Sequence, residues 1–153
     1  MNKPTRRDLI RTAAVAHAAG TAWTIQAAEI AMNTEPVDTV ELMRRFNDVF
    51  QRHDPAALSE LIAEDCVIEN TVPAPNGSRH VGREQCVALW RQIATTPGTS
   101  FDLEDVFVAG DRAIIRWRFR WGTGEDSSVR GVNLMRVRDG LIVEALGYVK
   151  GPG

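Results

Sequence analysis

From Arg112 to Trp121 the chain reads RAIIRWRFRW. Ala113, Ile115, Trp117, Phe119 and Trp121 share one parity, and Arg116, Arg118 and Arg120 share the other. A strand sends successive side chains to opposite faces, so this segment has one aromatic face and one cationic face. The aromatic face must be covered, and the arginine face meets solvent or a partner. Three more segments after Pro97 follow the same period: Phe101–Ala109, Val129–Arg138 and Leu141–Lys150. Gly110-Asp111 and Asp139-Gly140 are tight-turn signals between them, and residues 122–128 join the middle pair. In Val129–Arg138 the parity that carries Gly131, Met135 and Val137 also carries Asn133, which places an amide on the interior side.

Before Pro97 the period is helical. Val37, Val40, Leu42, Met43, Phe46, Val49 and Phe50 predict an amphipathic helix over Val37–His53, capped by Asp38 or Thr39. Asp54-Pro55 opens a second short helix through Leu58, Leu61 and Ile62. A short strand, Cys66–Asn70, follows, and a third helix runs from about Arg83 to Thr95 with Val87, Trp90 and Ile93 inward. Between them the residues Thr71 to Ser78 carry two prolines and an Asn-Gly pair, so the backbone turns there. Asn70 sits at that junction, where a side chain can be aimed into a cavity. An amide donates and accepts hydrogen bonds but shuttles no proton at neutral pH. Helices followed by an antiparallel meander predict an α+β fold, a curved sheet with its helices on one face.

The first 31 residues form a separate object. Thr5-Arg6-Arg7-Asp8-Leu9-Ile10-Arg11 and the Ala-rich run after it predict a twin-arginine-type signal, hence a periplasmic or secreted protein. The alternative is an Ala-rich leader before a cytoplasmic domain that starts at Met32. The apolar run is too short and interrupted for a membrane span, which needs about 20 predominantly apolar residues. The domain therefore covers 32–153, about 120 residues, enough to bury a core. A formal charge of −2 draws neither nucleic acid nor an anionic membrane. The arginine row lacks the interleaved aromatics of a nucleic-acid face, and Asp102 and Glu104 on the adjoining strand are placed to pair with it. Cys66 and Cys86 make no zinc spacing and read as small buried hydrophobes, with a disulfide as the alternative in an exported protein. Neither a metal nor an organic cofactor is expected.

The segments MRRFNDVFQRHDPAALSELIAEDCVIEN, GREQCVALWRQI and GVNLMRVRDGLIVEALGYV resemble the nuclear transport factor 2-like superfamily, in particular its ketosteroid isomerase and SnoaL-like polyketide cyclase branch. The resemblance implies a conical α+β barrel, a curved antiparallel sheet with three helices on its concave face, whose wide end opens into an apolar pocket. It also implies a homodimer formed through the outer sheet face, with Arg116, Arg118 or Arg136 near the interface. The family's seats are occupied unusually. Asn70 stands where the isomerases have the proton-shuttling aspartate, Phe46 where they have an oxyanion-hole tyrosine, and Asn133 where they have a protonated aspartic acid. (That enzyme is a general example of pKa tuning.) Cyclases of this branch also put their acid/base aspartate at the position of Asn133. For the fold's epoxide hydrolases, the asparagine matches Asn70 and the arginine Arg118, but their two aspartates fall on Arg120 and Gly147 and their tyrosine on Ile68.

The pocket implied in this way is lined by Phe46, Ile68, Asn70, Trp90, Trp117, Phe119, Asn133, Met135 and Tyr148. Its first functional reading is an isomerase, cyclase or lyase acting on an apolar carbonyl compound, with Asn70, Asn133 and His80 as the candidate catalytic residues. Glu69 neighbours Asn70 but belongs to the opposite face of a strand, so His80 is the outside candidate for a base. The alternative is a non-catalytic ligand-binding or assembly module that has lost the family's acid/base residues. An ionisable group at the pocket floor favours the enzyme, and a pocket of amides and hydrocarbon favours the binder.

Overall fold

The computed structural model describes residues 38–151. The proposed signal segment and the start of the first helix at Val37 lie outside the described residues. Helix α1, Thr39–Gln51, begins where Asp38 caps it, its carboxylate accepting from the Val40 N–H at 2.9 Å. Leu42, Met43, Phe46, Val49 and Phe50 are buried along one stripe, while Arg44 pairs with Glu41 and Asp48 on the wet side. After Gln51 the chain turns through His53 in the left-handed region (φ 55°), held by a ring nitrogen 2.8 Å from the Ala94 carbonyl.

A single turn, α2 (Leu58–Leu61), leads directly into β1, Ile62–Asn70. Ile62 was expected to be helical and β1 to start at Cys66. The strand instead begins four residues earlier, and the period-two signal is absent there for a structural reason. Its pairing with the neighbouring strand is irregular between Ile62 and Val67, so Ile62 and Ala63 are both buried and Glu64 and Asp65 both exposed. A four-residue strand, β2 (Ser78–Val81), folds back antiparallel on β1 inside the segment read as a loop, and Arg79 meets Glu69 at 2.8 Å across it. Then come α3 (Arg83–Thr95), β3 (Ser100–Ala109), β4 (Arg112–Arg120), a 3₁₀ turn (Glu125–Ser127), β5 (Ser128–Arg138) and β6 (Leu141–Val149).

These strands form one six-stranded curved sheet in the order β2-β1-β6-β5-β4-β3, with the helices on its concave side. The fold class is α+β as expected, and the sheet stays open at β2 and β3. Its pairings are antiparallel except β1 with β6, which run parallel because the meander returns its last strand beside the first. The alternation read from the sequence holds: Ala113, Ile115 and Trp117 are buried, and the arginines of β4 and β5 face outward. There Arg120 meets Asp102 at 2.6 Å, and Glu104 is shared by Arg130 at 2.8 Å, Arg116 at 3.5 Å and Arg118 at 3.6 Å. The hydrogen bond from Arg130, with the charges of Arg118 and Arg116, holds the Glu104 carboxyl below its ordinary range. Cys66 and Cys86 are free and fully buried, Cys86 Sγ lying 3.5 Å from the Cys66 carbonyl, and burial pushes both thiols up.

Candidate functional site

The curvature that covers the aromatic face leaves a cavity of about 520 Å³ between the sheet and helices α1 and α3. One wall is a continuous chain of seven aromatic rings. Trp90 meets Phe46 at 4.7 Å, Phe46 meets Phe50 at 5.1 Å, and Phe50 meets Phe101 at 5.4 Å. Phe101 then touches both Trp117 at 5.3 Å and Phe119 at 4.7 Å, and Phe119 meets Trp121 at 5.9 Å at the mouth. Edge-to-face and tilted contacts of this kind add to the stabilisation from the area the rings bury. Trp121 and Val72 stand half-exposed or more at the rim, which makes the entrance apolar too.

The opposite side is polar in a few places only. Asn70 ends β1, and Asn133 lies on β5 directly across from Gly147 of β6. Since Glu69 is in register with Leu146, Asn70 comes level with Gly147 from the other side. The two asparagines therefore flank one glycine, two strand spacings or about 9.5 Å apart along the sheet. Both line the cavity, and among the described residues neither side-chain amide has a hydrogen-bond partner. The loop after Asn70 is pinned by Gly77, whose N–H donates to the Pro73 carbonyl at 2.7 Å. Its φ of +71° is left-handed, and a Cβ there would collide with the Asn70 carbonyl oxygen, so glycine is needed to end the strand where it does.

Of the residues expected in the pocket, Phe46, Ile68, Asn70, Trp90, Trp117, Phe119 and Asn133 line the cavity. Met135 and Tyr148 do not. Met135 is fully buried beneath the cavity between Ala113 and Ala145, and Tyr148 is on the outward parity of β6, 53% exposed on the convex face. The parity rule excludes Tyr148, because Gly147 and Val149 take the inner side. His80 lies on β2 opposite Ile68 with its Nε2 3.1 Å from Ser78 Oγ, and it is not part of the lining. Arg118 faces outward to Glu104 and Ser128, so the epoxide-hydrolase arginine match falls outside the cavity.

Glu69 is the one charged residue that reaches the lining among the described residues, and its carboxylate is turned out to Arg79. Sequence reasoning missed Asn47, a buried amide on α1 that donates to the Met43 carbonyl at 2.8 Å and borders the cavity. Its position on the apolar stripe, one residue after Phe46, was the available signal. Gln51 at the helix end and Thr71 at the rim also line the cavity and were not anticipated. Among the described residues no group of His, Cys, Asp and Glu is arranged to hold a metal ion, and no helix is long and apolar enough to cross a membrane. Chemically, the site offers amide donors and acceptors set in hydrocarbon.

A family model for the SnoaL-like domain matches residues 43–145. A crystal structure of a nuclear transport factor 2-like protein of unknown function from Mesorhizobium loti is 74% identical, with a TM-score of 0.69, covering 74% of this chain and 91% of that one. A protein of unknown function with cystatin-like fold from Methylobium petroleophilum superposes at a TM-score of 0.63 and 20% identity, over 78% of this chain and 80% of that one. A steroid delta-isomerase from Pseudomonas aeruginosa superposes at 0.61 and 17% identity, over 73% and 79%. At those identities the last two speak for the fold alone. No curated protein matches the chain.

Proposed function

The chain belongs to the SnoaL-like domain family, and from that premise we propose that it binds an apolar small molecule and holds its carbonyl or hydroxyl oxygen with Asn70 and Asn133. The observation that carries this reading is the pair of unpartnered amides facing a cavity of aromatic hydrocarbon. Both asparagines are only partly buried and open to the cavity, so a ligand oxygen would take the place of water at groups that are free to bond. Two N–H donors also polarise a carbonyl, but isomerisation or cyclisation needs a base as well, and the Glu69 carboxylate is engaged by Arg79 outside. Binding without proton transfer by a pocket side chain is therefore the better-supported of the two readings.

The test pairs binding with turnover. Saturable binding of a bicyclic ketone in equilibrium dialysis is expected, with affinity falling about five- to tenfold in Asn70→Leu, the worth of one hydrogen bond. No acceleration of double-bond migration in a β,γ-unsaturated ketone is expected. Turnover above background that disappears in Asn70→Leu would move the protein to the isomerase reading.

We further propose that the outer sheet face forms a homodimer. Phe107, Ile114, Leu134 and Leu146 stand in one cross-strand register on that face, and Phe107, Ile114 and Leu134 are exposed. The flanking rows contain Arg116 on one side and Arg112, Arg136 and Glu144 on the other. An apolar stripe with a charged rim is the anatomy of an association surface. Solution scattering at micromolar concentration is expected to give a dimer for the parent and a monomer for Leu134→Glu; a monomeric parent would overturn the assignment.

A further inference from the structure

We infer that the outer face of the sheet carries a second binding site, a cationic groove over Val132 that takes a phosphate monoester on a flat aromatic body. The groove has a volume of about 550 Å³ and is independent of the aromatic cavity on the inner face. Strand register puts Arg116 on one side of Val132 and Tyr148 on the other. Arg130 precedes Val132 by two residues and so shares its face. Lys150 lies beside Arg130, its backbone N–H donating to the Arg130 carbonyl at 2.9 Å. Four long side chains thus frame one short one, about 9.5 Å apart across the strands and about 6.7 Å along them. The depression is the space that the valine leaves between them. It borders the apolar stripe of Ile114 and Leu134 on its Arg116 side, at the rim of the proposed dimer surface.

The charge of the ligand follows from the lining. Arg116, Arg130 and Lys150 face the single carboxylate of Glu104, in a chain whose formal charge is −2, so the cationic surplus is local. Glu104 is already engaged, by Arg130 Nε at 2.8 Å and by Arg116 and Arg118 at longer range. Bonding through Nε leaves the outer N–H groups of the Arg130 fork for a ligand. Arg116 stands 3.5 Å from Glu104 and 3.8 Å from Asp105 and makes no hydrogen bond among the described residues. The Lys150 ammonium and the Tyr148 hydroxyl have no partner there either. A phosphate monoester carries about two negative charges at neutral pH, which match the two positive charges left over. Its oxygens accept the paired donors of a guanidinium, and Val132 with the Tyr148 ring offers a flat body its apolar contact. A carboxylate supplies half that charge.

The experiment titrates phenyl phosphate, inorganic phosphate and benzoate into the full chain by calorimetry at about pH 7.5, where both phosphates are mostly dianions. Phenyl phosphate is expected to bind saturably, about fivefold or more tighter than either other probe. Its affinity is expected to fall about fivefold in Lys150→Gln and further when Arg130→Gln is added, both being exposed positions outside the core. Tyr148→Ala is expected to erase the preference for phenyl phosphate over inorganic phosphate while leaving inorganic phosphate binding unchanged. Unaltered phenyl phosphate affinity in the folded double variant overturns the site, as does absence of saturable binding. Benzoate binding as tight as phenyl phosphate overturns the phosphate class, and no gain over inorganic phosphate overturns the aromatic body. Binding by Leu134→Glu alone would mean that a second copy covers the groove, which overturns it as a ligand site of the assembled protein.

Discussion

Replacing both cavity amides by carboxyls, Asn70→Asp with Asn133→Asp, is expected to make the protein lose stability as pH rises. Both positions border a cavity lined by hydrocarbon, and no cationic side chain lines it among the described residues. Desolvation disfavours the charged form of each new carboxyl, and mutual repulsion disfavours the second ionisation, so the folded-state pKa values rise above the unfolded value near 4. For an acid shifted upward, the native state holds more protons than the unfolded chain between those two values. Stability is then unchanged at pH below about 4, declines through the window up to the raised pKa, and levels off above it. A shift of one unit corresponds to about 1.4 kcal/mol, and at least that is expected for the pair. Urea titrations of the double variant and the parent from about pH 4 to 8 read this directly. Superimposable pH dependences would mean that the two side chains reach water freely and do not share an apolar cavity.

Gly131→Ala is expected to cost more than any conservative change in the helices, about 2–3 kcal/mol, or a Tm lower by roughly 10 °C. A Cβ at this position would overlap the six-membered ring of Trp117 and come within 2.5 Å of the Tyr148 carbonyl oxygen. Trp117 cannot swing aside cheaply, since it is buried and stacked edge-on against Phe101 in the aromatic wall. The Tyr148 carbonyl is backbone of the adjoining strand and cannot yield without disturbing the β5–β6 ladder. Thermal unfolding of the variant measures the effect, and the same substitution is expected to weaken ligand binding, because the displaced Trp117 ring is part of the cavity wall. A Tm within about 2 °C of the parent would show that the ring relaxes and that the wall is not rigid.

Much of this architecture is written locally in the chain. The alternation Ala113, Ile115, Trp117, Phe119 against Arg116, Arg118, Arg120 sets the two faces of β4 without reference to any other residue, because period two is a property of the strand itself. Asp38 as cap, the stripe from Leu42 to Phe50, and the turns at Gly110 and Gly140 are equally local, and they place α1 and the meander. The inward parity of Asn133 came from the same rule. β2 was hidden because it is only four residues long and its place is set by pairing with β1, and the first half of β1 because its side chains do not alternate there.

Tyr148, Met135 and His80 show the limit from the side of the site. Whether a residue on a strand meets a cavity, lies under its floor, or stands on the outer face depends on the register with neighbours up to 80 residues away, and on where the helices leave a gap. Asn70 and Asn133 could each be recognised as amides in unusual seats, but only the parallel pairing of β1 with β6 sets both beside Gly147. Local sequence determines faces, since side-chain direction is set by the backbone at each residue. Tertiary structure alone decides neighbours, because the register between strands is fixed by the packing of the whole sheet against its helices.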